Sequence, residues 1–230
     1  MKVFLSAVLL IMVASCHSNR NKNPISTTAI NLKETTSKKE MAEWRIDTIK
    51  INNTQMIKVT KDSLIYYLST VSGDTVARAA NYYDDMEITD IDHDGYNDIR
   101  IYVSGNTPNQ CENYLYDAGT KKFILLKNCD LDLKLIKGSH VFFTYHHAGC
   151  ADNNWESHLL RIKDYTAIEL GYICGQACDS PRQIKVYKTS IEDESANLVD
   201  SLPYDKVIPK YEDKWDFIER YWQKNHQRYE

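Results

Sequence analysis

The 230-residue chain carries 28 lysines and arginines against 32 aspartates and glutamates, which gives a formal net charge of −4. No basic block interrupts this mildly acidic composition, so nucleic acid is not an expected partner. Once the N-terminal segments described next are set aside, about 190 residues remain, the usual length of one domain.

The N-terminus has the features of an export signal. A short positive start precedes an apolar run from Val3 to Val13, which is too short for a permanent membrane span and has the length of a signal-peptide core. The sequence Val-Ala-Ser-Cys at positions 13–16 resembles the bacterial lipobox, in which a signal peptidase cuts before a cysteine that then carries lipid. We therefore expect residues 1–15 to be a lipoprotein signal peptide and Cys16 to anchor the protein to a membrane. An ordinary secretory signal that ends in a chance cysteine is the alternative.

Residues 16–42 are expected to comprise the lipidated cysteine and a flexible tether, because Asn, Ser, Thr and Lys dominate there without apolar periodicity. His17 follows the cysteine where an acidic residue would favour the inner membrane, by the sorting rule of enterobacteria. The predicted location is therefore the cell envelope, as an outer-membrane lipoprotein that faces the periplasm. Residues 43–230 are expected to form a single β domain with a C-terminal helix.

Short runs with strand character, separated by turn residues, fill most of this domain. They predict a mainly β fold, either a propeller-like or a sandwich array of short antiparallel strands. Parallel βαβ winding is disfavoured, because no helical segments separate the runs. The predicted strands include Gln55–Thr60, Leu64–Thr70, Met86–Thr89, Ile99–Val103, Asn113–Tyr116, Lys122–Leu126, Leu131–Ile136, Val141–Tyr145, Ser157–Ile162, Ala167–Ile173 and Gln183–Lys188.

A dense acidic motif, with the sequence DIDHDGYND at positions 90–98, lies between two of these strands. Calcium takes six to eight hard oxygen ligands, and alternate carboxylates on a tight loop can converge on one ion. Without a cation, carboxylates crowded in this way would repel one another. We therefore predict a Ca²⁺ site, with a metal-free acidic turn as the alternative. The predicted ligands are the carboxylates of Asp90, Asp92, Asp94 and Asp98 and the carbonyl of Tyr96.

The flanking sequence distinguishes this motif from an EF-hand, which would carry a bidentate Glu at position twelve between two helices. Ile101 stands at that position, inside a predicted strand. The motif resembles instead the strand-loop-strand calcium sites of integrin-like and FG-GAP repeats, in which the Asp at position nine completes the ligand shell. One copy of the motif is present, and the predicted role of the ion is structural.

The resemblance extends from Asp90 through Tyr114-x-Tyr116-Asp117 to Phe123. This run is similar to a family of bacterial periplasmic lipoproteins with a calcium-bearing, propeller-like β fold. Some members of that family are immunity proteins that inhibit a lysozyme-like toxin delivered by a type IV secretion system. The resemblance implies the fold and the metal; the half of the domain after Cys129 aligns with no inhibitory loop, so no inhibitory residue is assigned.

Five cysteines follow the proposed lipidation site, and an exported chain meets an oxidising compartment in which disulfides are the default. Cys111 and Cys129 flank a hairpin-like stretch, and we predict a disulfide between them. Among Cys150, Cys174 and Cys178 one thiol is then left over or pairs with another chain. Zinc bound by Cys174 and Cys178 is a weaker alternative, because no second ligand pair matches them.

A histidine cluster is the second chemical feature of the domain, with His146 and His147 adjacent and His158 nearby. It offers ligands or acid-base groups to a metal-dependent hydrolase. The H-E-x-x-H spacing, the G-x-S-x-G elbow and a glycine-rich phosphate loop are all missing. We therefore predict that the protein is not an enzyme, and the hydrolase is kept as an alternative.

One helix is predicted at the C-terminus, from Asp213 to Gln227. Trp215, Ile218 and Trp222 recur on one side of it, and we expect this stripe to pack on the sheet of the same chain. A membrane-surface or partner-binding helix is the alternative.

Taken together, these features predict an exported, lipid-anchored, calcium-binding protein that acts as a non-catalytic binding module. The family resemblance extends the prediction to an inhibitor or immunity protein whose partner is a secreted peptidoglycan hydrolase. A purely structural envelope lipoprotein is a further alternative. The sequence does not identify the target.

Overall fold

Antiparallel β-structure dominates the computed structural model, which describes residues 43–105, 107–193 and 195–230. Its strands form two seven-stranded sheets, and the described residues belong to one compact unit. The mainly β class and the C-terminal helix predicted from the sequence are confirmed. The predicted signal peptide, the lipidation site at Cys16 and the tether lie outside the described residues.

The first sheet is a meander in which each strand pairs with the next one along the chain. Two of its connections, Asn52-Asn53 and Asp62-Ser63, are tight turns with positive φ. Asn and Asp tolerate this left-handed conformation better than most residues, because their short polar side chains bond to the local backbone. The strands are β1 (Trp44–Ile51), β2 (Thr54–Lys61), β3 (Leu64–Thr70), β4 (Thr75–Thr89), β5 (Asp98–Val103), β6 (Cys111–Asp117) and β7 (Lys122–Leu125).

The second sheet has the order β14-β13-β12-β11-β9-β8, and β10 pairs with β11 beside this path. Gly175 allows the close approach of β11 and β12, because a Cβ at this position would lie 2.2 Å from Cε2 of Trp155. The strands are β8 (Lys134–Leu135), β9 (Val141–Phe143), β10 (His146–His147), β11 (Asn154–Lys163), β12 (Thr166–Gln176), β13 (Gln183–Thr189) and β14 (Ala196–Pro203).

Two helices follow the second sheet, α1 (Tyr204–Val207) and α2 (Lys214–Asn225), each continued by a 3₁₀ turn. Asp213 begins α2 as its N-cap, and its carboxylate accepts hydrogen bonds from the amides of Trp215 and Asp216 at 2.8 and 2.9 Å. Ile218 and Trp222 pack on the sheet of the same chain, as predicted, together with Phe217, and Nε1 of Trp222 donates to Oγ of Ser157 at 2.9 Å. Trp215, the third member of the predicted stripe, is 37% exposed and lies outside this cluster. None of the described helices is long and apolar enough to cross a membrane.

Within the described part of the chain, three hydrophobic clusters form the core. One lies between the second sheet and α2, and its centre is formed by Trp155, Leu159 and Trp222, which are fully buried. A second belongs to the first sheet and includes Met56 and Ile99. A third cluster joins the two sheets, because it contains side chains from both; its members are Ile91, Leu115, Leu126, Leu133, Phe142, Leu160 and Ala167.

Three departures from the predicted strands have a clear physical reason or are large. Strand β4 has 15 residues rather than the four of Met86–Thr89, because β3 and β5 pair along most of its length. Of the predicted strand Leu131–Ile136, only Lys134–Leu135 pairs as a strand. Strand β14 was not predicted, because six consecutive exposed residues carry no apolar alternation, and its existence depends on pairing with β13.

The predicted disulfide between Cys111 and Cys129 is wrong. The structure joins Cys150 to Cys178, 28 positions apart, and Cys111, Cys129 and Cys174 are free thiols. The leftover thiol expected among the last three cysteines is therefore Cys174.

The backbone explains why the predicted pair does not form. The amide of Cys111 donates to the carbonyl of Asp130 at 2.9 Å, so Cys111 lies opposite Asp130 and not opposite Cys129. The two thiols have other partners: Cys111 donates to Oδ1 of Asn113 at 3.7 Å, and Cys129 donates to the carbonyl of Leu131 at 3.5 Å. Burial raises the pKa of the Cys111 thiol to about 12, which keeps it protonated and unreactive at neutral pH.

Candidate metal centre

The acidic motif forms the connection between β4 and β5, where three of its four carboxylates converge. Ligand atoms of Asp90, Asp92 and Asp98 all lie within 4.8 Å of one another. The loop can turn this sharply because Gly95 has a φ of +93°, in the region that disfavours side chains. The structure thus brings together three of the four predicted carboxylate ligands.

Backbone amides hold the loop in its curved form. The two carboxylate oxygens of Asp90 accept hydrogen bonds from the amides of Asp94 and Gly95, each at 3.1 Å. The Asp94 carboxylate lies outside the converging group and accepts from the amide of Tyr96 at 2.8 Å. The ring of Tyr96 packs 5.6 Å from that of Tyr116, which fixes the outer side of the loop on β6.

Asp98 is the buried member of the group, with 1% of its surface exposed. Its carboxylate accepts from the amide of Ile91 within the loop and from the amide of Tyr116 on β6, each at 2.8 Å. Burial raises the pKa of Asp98 to about 7, although these two amide hydrogen bonds oppose the change. The charged form of Asp98 is therefore costly unless a cation lies beside it.

These residues fit a calcium ion. Two oxygens bound to one Ca²⁺ at about 2.3–2.6 Å can be separated by at most about 5 Å, and the three carboxylates meet that limit. Burial and the neighbouring charges of Asp94 and Asp90 raise the pKa of Asp92, which a divalent cation would reverse. Asp90, Asp92 and Asp98 would hold the ion, and it would supply positive charge to a site that otherwise contains only acceptors.

The loop also contributes an apolar side chain to the junction between the sheets. Ile91, at loop position two, is 4% exposed and packs in the cluster with Leu160 and Ala167 of the second sheet. Since Asp98 accepts from the Ile91 amide, the carboxylate group and the junction are held by the same short segment. Ordering of the loop and packing of the two sheets are therefore linked.

The histidines of the predicted alternative do not converge in this way. His146 and His147 form β10, with ring centroids 6.0 Å apart. Among the described residues, the set of His, Cys, Asp and Glu side chains placed to share one metal ion is the aspartate group, and His146, His147 and His158 are not part of it.

His158 lies instead between two glutamates on the second sheet. Its Nδ1 is 2.7 Å from Oε2 of Glu169, and its Nε2 is 3.6 Å from Oε2 of Glu156. Burial by itself would lower the pKa of His158, but the two glutamates outweigh it and raise that pKa to about 9. At neutral pH the imidazole is therefore charged and neutralised by its neighbours, which suits an ion pair better than a general base or a metal ligand.

Sequence reasoning missed one exposed and strained loop. Cys150, Ala151 and Asp152 have consecutive positive φ values of 53°, 49° and 66°, a conformation that is costly for residues other than glycine. The disulfide to Cys178 holds one end of the loop, and Lys214 bonds to Oδ2 and the carbonyl of Asp152, each at 2.5 Å. No local sequence signal predicts this arrangement, because each partner is distant along the chain.

Comparisons with known proteins give little guidance to identity. No family model matches the sequence, and no curated protein sequence matches it. Among solved structures, the chain is similar to one described as a Xanthomonas type IV secretion system related protein. That likeness has a TM-score of 0.42 and 16% sequence identity, and it covers 69% of this chain and 85% of the other.

Proposed function

We propose that this protein is an exported, lipid-anchored, calcium-binding protein of the cell envelope that acts as a non-catalytic binding module. The observation that carries the calcium proposal is the convergence of Asp90, Asp92 and Asp98 within 4.8 Å of one another. The disulfide supports export, because such bonds persist in oxidising compartments. The anchor is Cys16, from its position in the lipobox-like sequence.

The role proposed for the ion is structural. The loop that would bind it carries Ile91 into the junction between the sheets, and Asp98 connects it to β6 through the Tyr116 amide. A cation at the carboxylates would hold these contacts together and would relieve the cost of the buried charge on Asp98.

The proposed partner is a peptidoglycan hydrolase of the lysozyme type, which the protein would inhibit. The family resemblance of the acidic motif supports this choice. The loop of residues 149–152 is the proposed contact surface for the hydrolase. It is largely exposed, and the disulfide and Lys214 hold it in one conformation. A preorganised loop loses little conformational entropy on binding, which favours tight association.

The calcium proposal is tested by thermal unfolding of the full chain with calcium and with a chelator, together with elemental analysis. We expect calcium to raise the free energy of unfolding by about 2.7 kcal/mol at a hundred times its dissociation constant. Asp92→Asn should abolish the increase. The matched control is Asp179→Asn, an exposed aspartate outside the loop, which should respond to calcium like the wild type. Equal melting temperatures with and without calcium in the wild type would refute the proposal.

The partner proposal is tested separately, by the rate at which a lysozyme-type hydrolase clears a suspension of peptidoglycan. The full chain with calcium should slow that rate, and Ala151→Trp should weaken the effect while the calcium-dependent melting temperature stays unchanged. If the protein binds calcium but slows none of a panel of such hydrolases, the calcium proposal stands and the inhibitor proposal is refuted.

A further inference from the structure

A cleft of about 690 Å³ opens on the second sheet, away from the aspartate group. Its lining comes from the start of β12, the end of β13, and residues 128–131, which follow the first sheet. A volume of this size is in the range of sites for small organic ligands. Neither the calcium site nor the exposed loop uses it.

Thr144, one of the residues that line this cleft, has a buried hydroxyl without a partner. Thr144 is 1% exposed, and its Oγ1 makes no hydrogen bond to the protein. Its backbone amide donates to the carbonyl of His158 at 3.0 Å, so the two residues lie side by side on neighbouring segments. A buried hydroxyl that lacks a partner destabilises the protein, and a ligand that bonded to it would remove that cost.

The charged groups of the cleft make it rich in hydrogen-bond acceptors. Glu169 accepts from Thr189 at 2.6 Å and from His158 at 2.7 Å, and Asp130 adds a second carboxylate. Among the described residues that line the cleft, none is lysine or arginine. His158 is already balanced by its two glutamates, so the lining offers an anionic ligand no uncompensated positive charge.

Apart from Asn128 and Cys129, the remaining surface of the cleft is aliphatic or hydroxylated. Leu131, Leu160 and Ile168 supply apolar walls, and Thr166 and Ser190 add further hydroxyl groups. A ligand suited to this lining presents many O–H donors toward the carboxylates and hydroxyls, and C–H surfaces toward the aliphatic walls. It carries no negative charge.

We infer that this cleft is a binding site for a neutral saccharide, which hydrogen-bonds to Thr144 and to the carboxylates of Glu169 and Asp130. The site is separate from the aspartate group, so the inference stands independently of the calcium and inhibitor proposals. A sugar supplies both kinds of surface that the lining requires, since each ring carries hydroxyl groups at its edge and C–H groups on its faces.

The inference is tested by calorimetric titration of the full chain, held in a non-glycosidic detergent, with cellotetraose and with tetra-N-acetylchitotetraose. Spermidine and inorganic phosphate serve as cationic and anionic probes. We expect at least one of the two saccharides to bind, and Thr144→Val to weaken that binding roughly tenfold, as loss of one buried hydrogen bond predicts. The matched control is Thr48→Val, at an exposed position on β1, which should bind like the wild type.

Thr144→Val is a sharp test because the hydroxyl that it removes has no partner in the protein, so the fold should keep or raise its melting temperature. Unchanged saccharide affinity in a folded Thr144→Val variant would overturn the inference. It would equally be overturned if neither saccharide bound at 10 mM (a concentration of the order at which weak sites fill), or if only spermidine or phosphate bound.

Discussion

Arg100 is a buried charge whose partners come from three separate segments. Its Nη1 lies 2.8 Å from Oδ1 of Asp132 and 3.0 Å from Oε2 of Glu87, and its Nε donates to Oδ1 of Asn113 at 3.0 Å. Nη2 donates to the carbonyl of Leu133 at 3.2 Å. The guanidinium thereby fastens the segment after the first sheet onto β5 and β6. The fork geometry of arginine suits this role better than lysine would.

Substitution of this residue should be costly. We expect Arg100→Ala to lower the free energy of unfolding by about 3–5 kcal/mol, because Asp132 would keep its partly buried charge without a partner. Urea unfolding measures the difference. Arg220→Ala, which removes an exposed pair with Asp216 one helical turn away, is the matched control and should cost no more than about 0.5 kcal/mol. Equal effects of the two substitutions would show that the buried arginine is not a structural anchor.

The ion pairs of His158 should make stability depend on pH in alkaline solution. The pKa of His158 is raised to about 9 in the folded protein, from an ordinary value of 6.5. A raised pKa means that the folded state holds the proton more tightly, so the contribution is complete below pH 6.5 and is lost as the pH rises through 9. The pKa values of Glu156 and Glu169 are lowered from their ordinary value of 4.5. Their contribution to stability is therefore complete above pH 4.5 and is lost as the pH falls below that value.

We therefore expect His158→Gln to lower the free energy of unfolding by roughly 1–3 kcal/mol at pH 6 and by little at pH 10. Urea unfolding of both proteins across pH 5–10 measures the difference. His140→Gln, at an exposed position, is the matched control and should change the free energy of unfolding by no more than about 0.5 kcal/mol. A His158→Gln difference that stays constant between pH 6 and 10 would contradict the ion-pair assignment.

At the scale of elements, the exposed loop between β10 and β11 depends on a covalent link to the end of β12. Closing a loop across 28 positions restricts the unfolded chain by about 3–4 kcal/mol in the entropic model. We expect a reductant to lower the melting temperature of the wild type by roughly 10 °C. The double variant Cys150→Ser and Cys178→Ser should already melt at the lower temperature and should not respond to reductant. A wild type that melts at the same temperature after complete reduction would contradict this.

The sequence predicts features that depend on neighbouring residues and fails for those that depend on distant ones. The acidic loop, the strand after it and the capped helix are each specified within about a dozen residues, and all three are present in the structure. Asp94 was predicted as a fourth carboxylate ligand, but its carboxylate lies outside the converging group and accepts from the Tyr96 amide. The cysteine pairing failed because it depends on register between strands, and β14 was missed because its pairing with β13 gives no signal in its own side chains.

At the scale of the whole molecule, the two sheets are joined by backbone as well as by side chains. The amide of Lys127, just after β7, donates to the carbonyl of Tyr165, and the amide of Ala167 donates back to the carbonyl of Lys127, each at 2.9 Å. Ala167 also belongs to the junction cluster that contains Ile91 of the acidic loop. An ion bound at the loop would thus stabilise a junction that it does not touch.

This linkage predicts where calcium should change the dynamics of the protein. We expect calcium at a hundred times its dissociation constant to slow hydrogen exchange at the amides of Lys127 and Ala167 by up to about a hundredfold, if their opening requires release of the loop. The amides that pair β13 with β14, at the far edge of the second sheet, should slow much less. Asp92→Asn should remove the calcium effect at both positions. Slowing confined to amides of residues 90–98 would mean that the ion orders only its own loop, and the junction would then be held by packing alone.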